Sequence, residues 1–66
     1  MVERTAKENH VWLIQIFQNG MSERPTLKYN LNLFELSEGM IHVVDPKTNL
    51  TKSFPTNICT IDEVLL

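Results

Sequence analysis

The feature that most restricts the fold is a strict alternation of apolar and polar residues over positions 27–33. The apolar positions are Leu27, Tyr29, Leu31 and Leu33, and the polar positions between them are Lys28, Asn30 and Asn32. Because successive side chains of a strand point to opposite faces, this pattern predicts a strand with one buried and one solvated face. Phe34 and Leu36 break the phase, which indicates a bulge or the end of the strand.

Runs of β-branched and aromatic residues predict further strands on either side. Residues 11–17 are apolar on both predicted faces and are followed by the turn signal Asn19-Gly20, which indicates a central strand or one covered on both sides. A helix is the alternative here, because a second series also recurs at spacings of three and four: Val2, Ala6, His10, Leu13 and Phe17. Residues 40–44 and 50–54 flank a turn with an early Pro and a late Asn, and predict a hairpin.

The two ends of the chain carry weaker signals. Residues 1–9 are polar and mixed in charge, which predicts a flexible or weakly helical lead-in. Residues 58–61 predict a final short strand, and residues 60–63 match a capping box, so one helical turn at the C-terminus is an alternative. Residues 1–66 are therefore predicted to form a single small domain that is all-β or mostly β. Its expected architecture is an antiparallel meander or barrel of four to five strands, with at most a short terminal helix.

The chain is too short to bury a large core. A domain of 66 residues buries only about 60% of the surface that its unfolded chain exposes. The one cysteine, Cys59, excludes an intrachain disulfide. Small domains without a disulfide or metal are commonly stabilised by oligomerisation or a bound partner. We therefore expect a protein partner or a homo-oligomer, most simply a two-fold dimer.

The charge distribution argues against binding to duplex DNA. The net charge is −2, and the six basic residues are scattered singly along the chain, whereas non-specific DNA binding depends on Lys and Arg neutralising phosphates. No apolar stretch is long enough to cross a membrane, and the residues after Met1 do not resemble a secretory signal. With a single cysteine, which suits a reducing compartment, these features predict a cytoplasmic protein without a membrane partner.

No combination of residues predicts catalysis, a metal site or a cofactor. His10 and His42 lie on different predicted elements and have no carboxylate at a metal-ligand spacing. Cys59 lies between Ile58 and Thr60 with no base nearby in the sequence, so a small buried side chain is the expected role. We expect a protein that is not an enzyme and needs no cofactor.

The apolar C-terminus is the clearest candidate for a binding surface. If Val64, Leu65 and Leu66 are exposed, they form an unusual apolar patch for a soluble monomer. Such a tail docks on its own sheet, pairs with another subunit or inserts into a partner's groove. We assign these residues, with Trp12, to partner binding. The predicted function is a non-enzymatic protein-binding module, a small regulator or inhibitor that acts through a sheet edge or an apolar surface.

RNA binding is the alternative function. Tyr29 beside Lys28, and Phe54 near Lys52, fit the aromatic and basic pairs that bind single strands. Residues 38–48 also resemble hairpins of pleckstrin-homology, phosphotyrosine-binding and Sm-like domains. This run covers less than half of the chain. The whole chain is too short for the first two folds, and it lacks evident Sm-like signature positions, so the resemblance assigns no family. The alternative is a small oligomeric RNA-binding β-barrel of Sm-like size.

Overall fold

A computed structural model describes the whole chain as seven β-strands and one short 3-10 helix. The strands are β1 (Val2–Thr5), β2 (His10–Ile16), β3 (Leu27–Leu31), β4 (Leu33–Ser37), β5 (Met40–Val44), β6 (Thr51–Pro55) and β7 (Cys59–Leu65). The 3-10 helix, Thr56–Ile58, connects β6 to β7. The predicted mostly-β class is confirmed. There are more strands than the four to five predicted, because the lead-in contains β1 and the long alternating segment divides into β3 and β4.

The strands form two antiparallel sheets. One has the order β1-β4-β5-β6 and the other the order β3-β2-β7. Residues 11–17 were predicted to be a strand or, alternatively, a helix. They belong mainly to β2, which lies between β3 and β7, so the prediction of a central strand is confirmed.

Both sheets are joined through one bent ribbon. β1 and β2 together run antiparallel to β4 and β3, with Thr5 opposite Leu33 and Trp12 opposite Leu31. At the bend the Ala6 amide donates to the Asn32 carbonyl at 2.8 Å. Residues 7–11 have no counterpart on the other strand and instead approach β7, where Val11 lies opposite Val64.

The bend at Asn32 shifts the phase of the alternation by one residue. Leu31 precedes the bend and Phe34 follows it, and both are buried, whereas Leu33 is 41% exposed. The prediction that Leu33 shares the buried face of Leu31 is therefore wrong, because Asn32 separates the two strands. Along β3 the prediction holds for buried Tyr29, half-buried Leu27 and the exposed polar positions.

The core consists of eight buried apolar side chains, four from each sheet. They are Ile14, Ile16, Tyr29 and Leu31 from β3-β2-β7, and Phe34, Ile41, Val43 and Phe54 from β1-β4-β5-β6. The Trp12 ring packs edge-to-face against Phe34, with ring centroids 5.0 Å apart. The two sheets therefore pack against each other through a small core, as the chain length requires.

Two hairpins follow from local turn chemistry. Glu38 and Gly39 have φ values of 54° and 74°, the positive values that a two-residue hairpin turn between β4 and β5 requires. In the β5–β6 turn the Lys47 amide donates to the Asp45 carboxylate at 2.9 Å, and Asn49 has a φ of 62°. The predicted hairpin across residues 45–49 is confirmed.

The two chain ends differ from the prediction. The flexible lead-in predicted for residues 1–9 contains β1, which pairs with β4, although the side chains of β1 are exposed. The C-terminal helical turn does not form, because β7 continues to Leu65 along the whole of β2. In both cases pairing with a distant strand decides the conformation. The chain's only helix has three residues, so none of its helices could reach across a lipid bilayer.

Candidate functional site

Strand β7 is an edge strand with one neighbour. It pairs with β2 over its full length, and no other strand lies beside it. Phe17 donates its amide to the Ile58 carbonyl at 2.7 Å, and Leu66 donates its amide to the Asn9 carbonyl at 2.8 Å. Because hydrogen-bonded residues alternate along an antiparallel pair, these contacts define which backbone groups of β7 face β2. The amides and carbonyls that face away from β2 belong to Ile61, Glu63 and Leu65, together with the carbonyl of Cys59, whose amide donates to the Thr56 carbonyl.

The other three edges are shorter or partly blocked. β1 has only four residues, against seven in β7. β6 ends in Pro55, which has no amide hydrogen to donate. β3 lies across a small cleft from the β5–β6 turn at residues 45–47. The edge of β7 is therefore the longest one open to an added strand.

The C-terminal end of β7 presents apolar side chains to solvent. Leu65 is 73% exposed and Leu66 is 83% exposed. Val64 is half-buried beside Val11, its cross-strand partner in β2. The backbone of the tail is held in the sheet by the Leu66 to Asn9 hydrogen bond, so these side chains sit at a defined position next to the free edge.

Trp12 does not belong to this surface. It lies opposite Glu63 in the β2–β7 pair, but its ring packs on Phe34 between the sheets. Its indole nitrogen is buried and has no hydrogen-bond partner. The structure therefore places Val64, Leu65 and Leu66 at the end of β7, and Trp12 partly buried against the core.

A pair that the sequence did not indicate holds the loop at residues 6–9 against β7. The Lys7 amide donates to one oxygen of the Glu63 carboxylate at 2.7 Å, and the Lys7 ammonium lies 3.3 Å from the other oxygen. The hydrogen bond from the Lys7 amide is the main reason why the pKa of Glu63 lies below its ordinary value. The two residues are 56 positions apart, so no local pattern could reveal their contact.

The residues considered for catalysis lie apart and have local roles. His10 Nδ1 lies 2.8 Å from the Glu8 carbonyl, and His42 Nδ1 lies 2.6 Å from Ser53 Oγ. The Cys59 thiol donates to the Pro55 carbonyl at 3.2 Å, and burial raises the pKa of Cys59. A raised pKa reduces the thiolate fraction and therefore the reactivity. No three His, Cys, Asp or Glu side chains are grouped as metal ligands.

The aromatic residues considered for RNA binding are core residues. Tyr29 is 7% exposed and Phe54 is 8% exposed, and both pack between the sheets. Neither ring presents a face on which a nucleic-acid base could stack.

No protein-family model, curated protein or solved structure matches this chain. The function is therefore inferred from the geometry of the chain's own residues.

Proposed function

We propose that the protein is a non-enzymatic protein-binding module, a small regulator or inhibitor, and that a strand of its partner adds to the free edge of β7. The observation that carries this proposal is the seven-residue edge strand, open on one side, with exposed Leu65 and Leu66 at its end. Strand addition is a common mode of peptide recognition, in which main-chain hydrogen bonds supply affinity and neighbouring side chains supply specificity.

The free edge provides both kinds of contact. Its outward-facing residues offer four backbone acceptors and three free donors, because the Cys59 amide is already bonded to Thr56. Each hydrogen bond formed contributes a net of about 0.5–1.5 kcal/mol. Burying an exposed leucine side chain contributes roughly 1.5–3 kcal/mol. Leu65 and Leu66, which are mostly exposed, are the side chains with the most apolar surface to gain at this end of β7.

The same edge can pair with a second copy of the chain. Antiparallel pairing of two identical strands is two-fold symmetric, so β7 is complementary to itself. In the register in which all four outward-facing residues are paired, Asp62 lies opposite Asp62 of the second copy. Like charges directly opposite each other destabilise a strand pair. We therefore propose a dimer that competes with partner binding, and we expect Asp62→Asn to strengthen it.

Affinity capture with matched variants tests the proposed function. Leu65→Lys places a charge at the end of β7, and Leu50→Lys is the control at a residue of similar exposure, 63% against 73%, in the β5–β6 turn. Bound proteins are identified by mass spectrometry and bound nucleic acids by sequencing.

The proposal predicts a protein that wild type and Leu50→Lys retain and Leu65→Lys loses, and that binds the purified chain directly. Equal retention by all three chains would refute β7 as the binding edge. Enrichment of RNA without a protein would favour the alternative of an RNA-binding β-barrel.

A further inference from the structure

A second surface with binding character lies on the outer face of the β1-β4-β5-β6 sheet, away from β7. It is a groove of about 560 Å³ between the start of β4 and the end of β5. Most of its lining residues are apolar. Those that rise from the outer face include Leu33 and Val44, which are 41% and 47% exposed. The floor reaches the core side chains Phe34 and Val43.

The groove exists because β4 and β5 separate. Their paired register runs from Ser37 and Met40 to Glu35 and His42 and ends there. Continued by two residues, it would place Leu33 opposite Val44, but these two residues are not paired. Hydrogen-bonded pairs recur at every second position of an antiparallel hairpin, counted from the two residues that flank its tight turn. Glu35 and His42 are therefore a hydrogen-bonded pair. Two residues further on, the amides and carbonyls of Leu33 and Val44 point toward the gap between the strands. The groove therefore combines apolar walls with free backbone groups.

The adjoining charge is negative. Glu3 lies directly opposite Glu35 on neighbouring strands, and Glu35 also lines the groove. Cross-strand carboxylates repel each other, at a cost to the stability of the sheet. No Lys or Arg lines the groove, and neither glutamate takes part in a salt bridge. Met1 and His42 also line it, and His42 lies opposite Glu35, but His42 Nδ1 lies 2.6 Å from Ser53 Oγ and neither residue forms a salt bridge. A cation bound beside the groove would relieve this repulsion.

We propose that the groove binds a peptide segment of a partner protein in which an aliphatic side chain is adjacent to Lys or Arg. The aliphatic side chain occupies the space between Leu33 and Val44. The peptide backbone bonds to the groups that the separated strands leave free, and the cation lies beside Glu3 and Glu35. This site is independent of β7, so either proposal can fail without the other.

Titration with two short peptides followed by amide NMR tests the inference. The probe is the acetylated and amidated tetrapeptide Lys-Leu-Lys-Leu, and the control is Glu-Leu-Glu-Leu. We expect shifts of the Leu33 and Val44 amides with the basic probe only. The affinity should fall with added salt, because exposed charges are screened.

Paired variants separate binding from folding. The double variant Glu3→Gln with Glu35→Gln should weaken probe binding about two- to tenfold, the scale of exposed ion pairs. Its thermal stability should stay equal or rise, because the repulsion is removed. Glu8→Gln with Glu23→Gln makes the same change of charge at exposed residues outside the groove and should leave binding unchanged. Equal binding of both peptides, shifts confined to other residues, or equal affinity in both double variants would overturn the inference.

Discussion

Truncation of Leu31 and of Leu33, the leucines on either side of Asn32, tests whether the chain bends at Asn32. The simple alternation of residues 27–33 treats Leu31 and Leu33 as equivalent, whereas the structure leaves them 9% and 41% exposed. Leu→Ala removes three carbon groups, worth about 0.8 kcal/mol each when fully buried. Scaled by burial, the transfer cost is roughly 2 kcal/mol for Leu31→Ala and somewhat over 1 kcal/mol for Leu33→Ala.

A cavity adds to the first of these costs. Leu31 packs in the core cluster, where truncation leaves an unfilled space, so its total should lie in the usual range of about 2–5 kcal/mol. Leu33 borders the open groove, where solvent fills the space, so no cavity cost is expected. A domain of this length has a total stability of roughly 3–10 kcal/mol. Leu31→Ala therefore removes a large fraction of the stability.

Urea denaturation followed by tryptophan fluorescence gives both values, because Trp12 lies in the core region against Phe34. We expect unchanged slopes and a larger loss in midpoint for Leu31→Ala than for Leu33→Ala. Equal losses, or a larger loss for Leu33→Ala, would refute the bend and restore one continuous strand.

Three further predictions follow from the charges and the thiol. The amide of Lys47 and the side chain of Lys52 lower the pKa of Asp45 below its ordinary 3.8. Ionised Asp45 therefore stabilises the fold above that pH. This contribution is lost as the pH falls through the lowered pKa. Asp45→Asn should therefore lower the melting temperature at pH 7. Melting temperatures measured over a range of pH should show the difference between variant and wild type vanishing in acid. A difference that stays constant with pH would contradict this linkage. Cys59, half-buried with a raised pKa, should react with an aromatic disulfide reagent much more slowly in the native protein than in urea, and equal rates would contradict its burial. At physiological salt, gel-shift titration with random duplex DNA should show no complex at low micromolar protein, because the net charge is −2; a salt-sensitive shift would overturn this prediction.

Local patterns predicted the fold class and most strands, because each of these strands carries its own periodicity or turn chemistry. The alternation at residues 27–31 and the turn at residues 45–49 are clear examples. β1 was missed because its exposed, charged residues carry no apolar pattern, and it forms through pairing with β4. The phase break was predicted from Phe34 and Leu36, but the bend lies earlier, at Asn32, because Asn32 and Leu33 still fit the alternation of the preceding residues.

The candidate site could be predicted only in part from the sequence. The apolar run at residues 64–66 was visible, but its position beside a free strand edge depends on pairing with β2. Trp12 was assigned to partner binding with these residues, whereas the structure places its ring edge-to-face against Phe34. The contact between Lys7 and Glu63, and the groove between β4 and β5, depend on tertiary geometry alone.

Amide hydrogen exchange across β7 at rising protein concentration tests the central claim most directly. At low concentration the inward-facing amides of Asp62 and Val64 should be protected by β2, while the outward-facing amides of Ile61, Glu63 and Leu65 exchange rapidly. At high micromolar concentration we predict that the outward-facing amides slow as a second copy pairs with the edge, and that Leu65→Lys abolishes the change. Rapid exchange of the outward-facing amides at every concentration, in a chain that sedimentation shows to be self-associated, would contradict strand addition at β7.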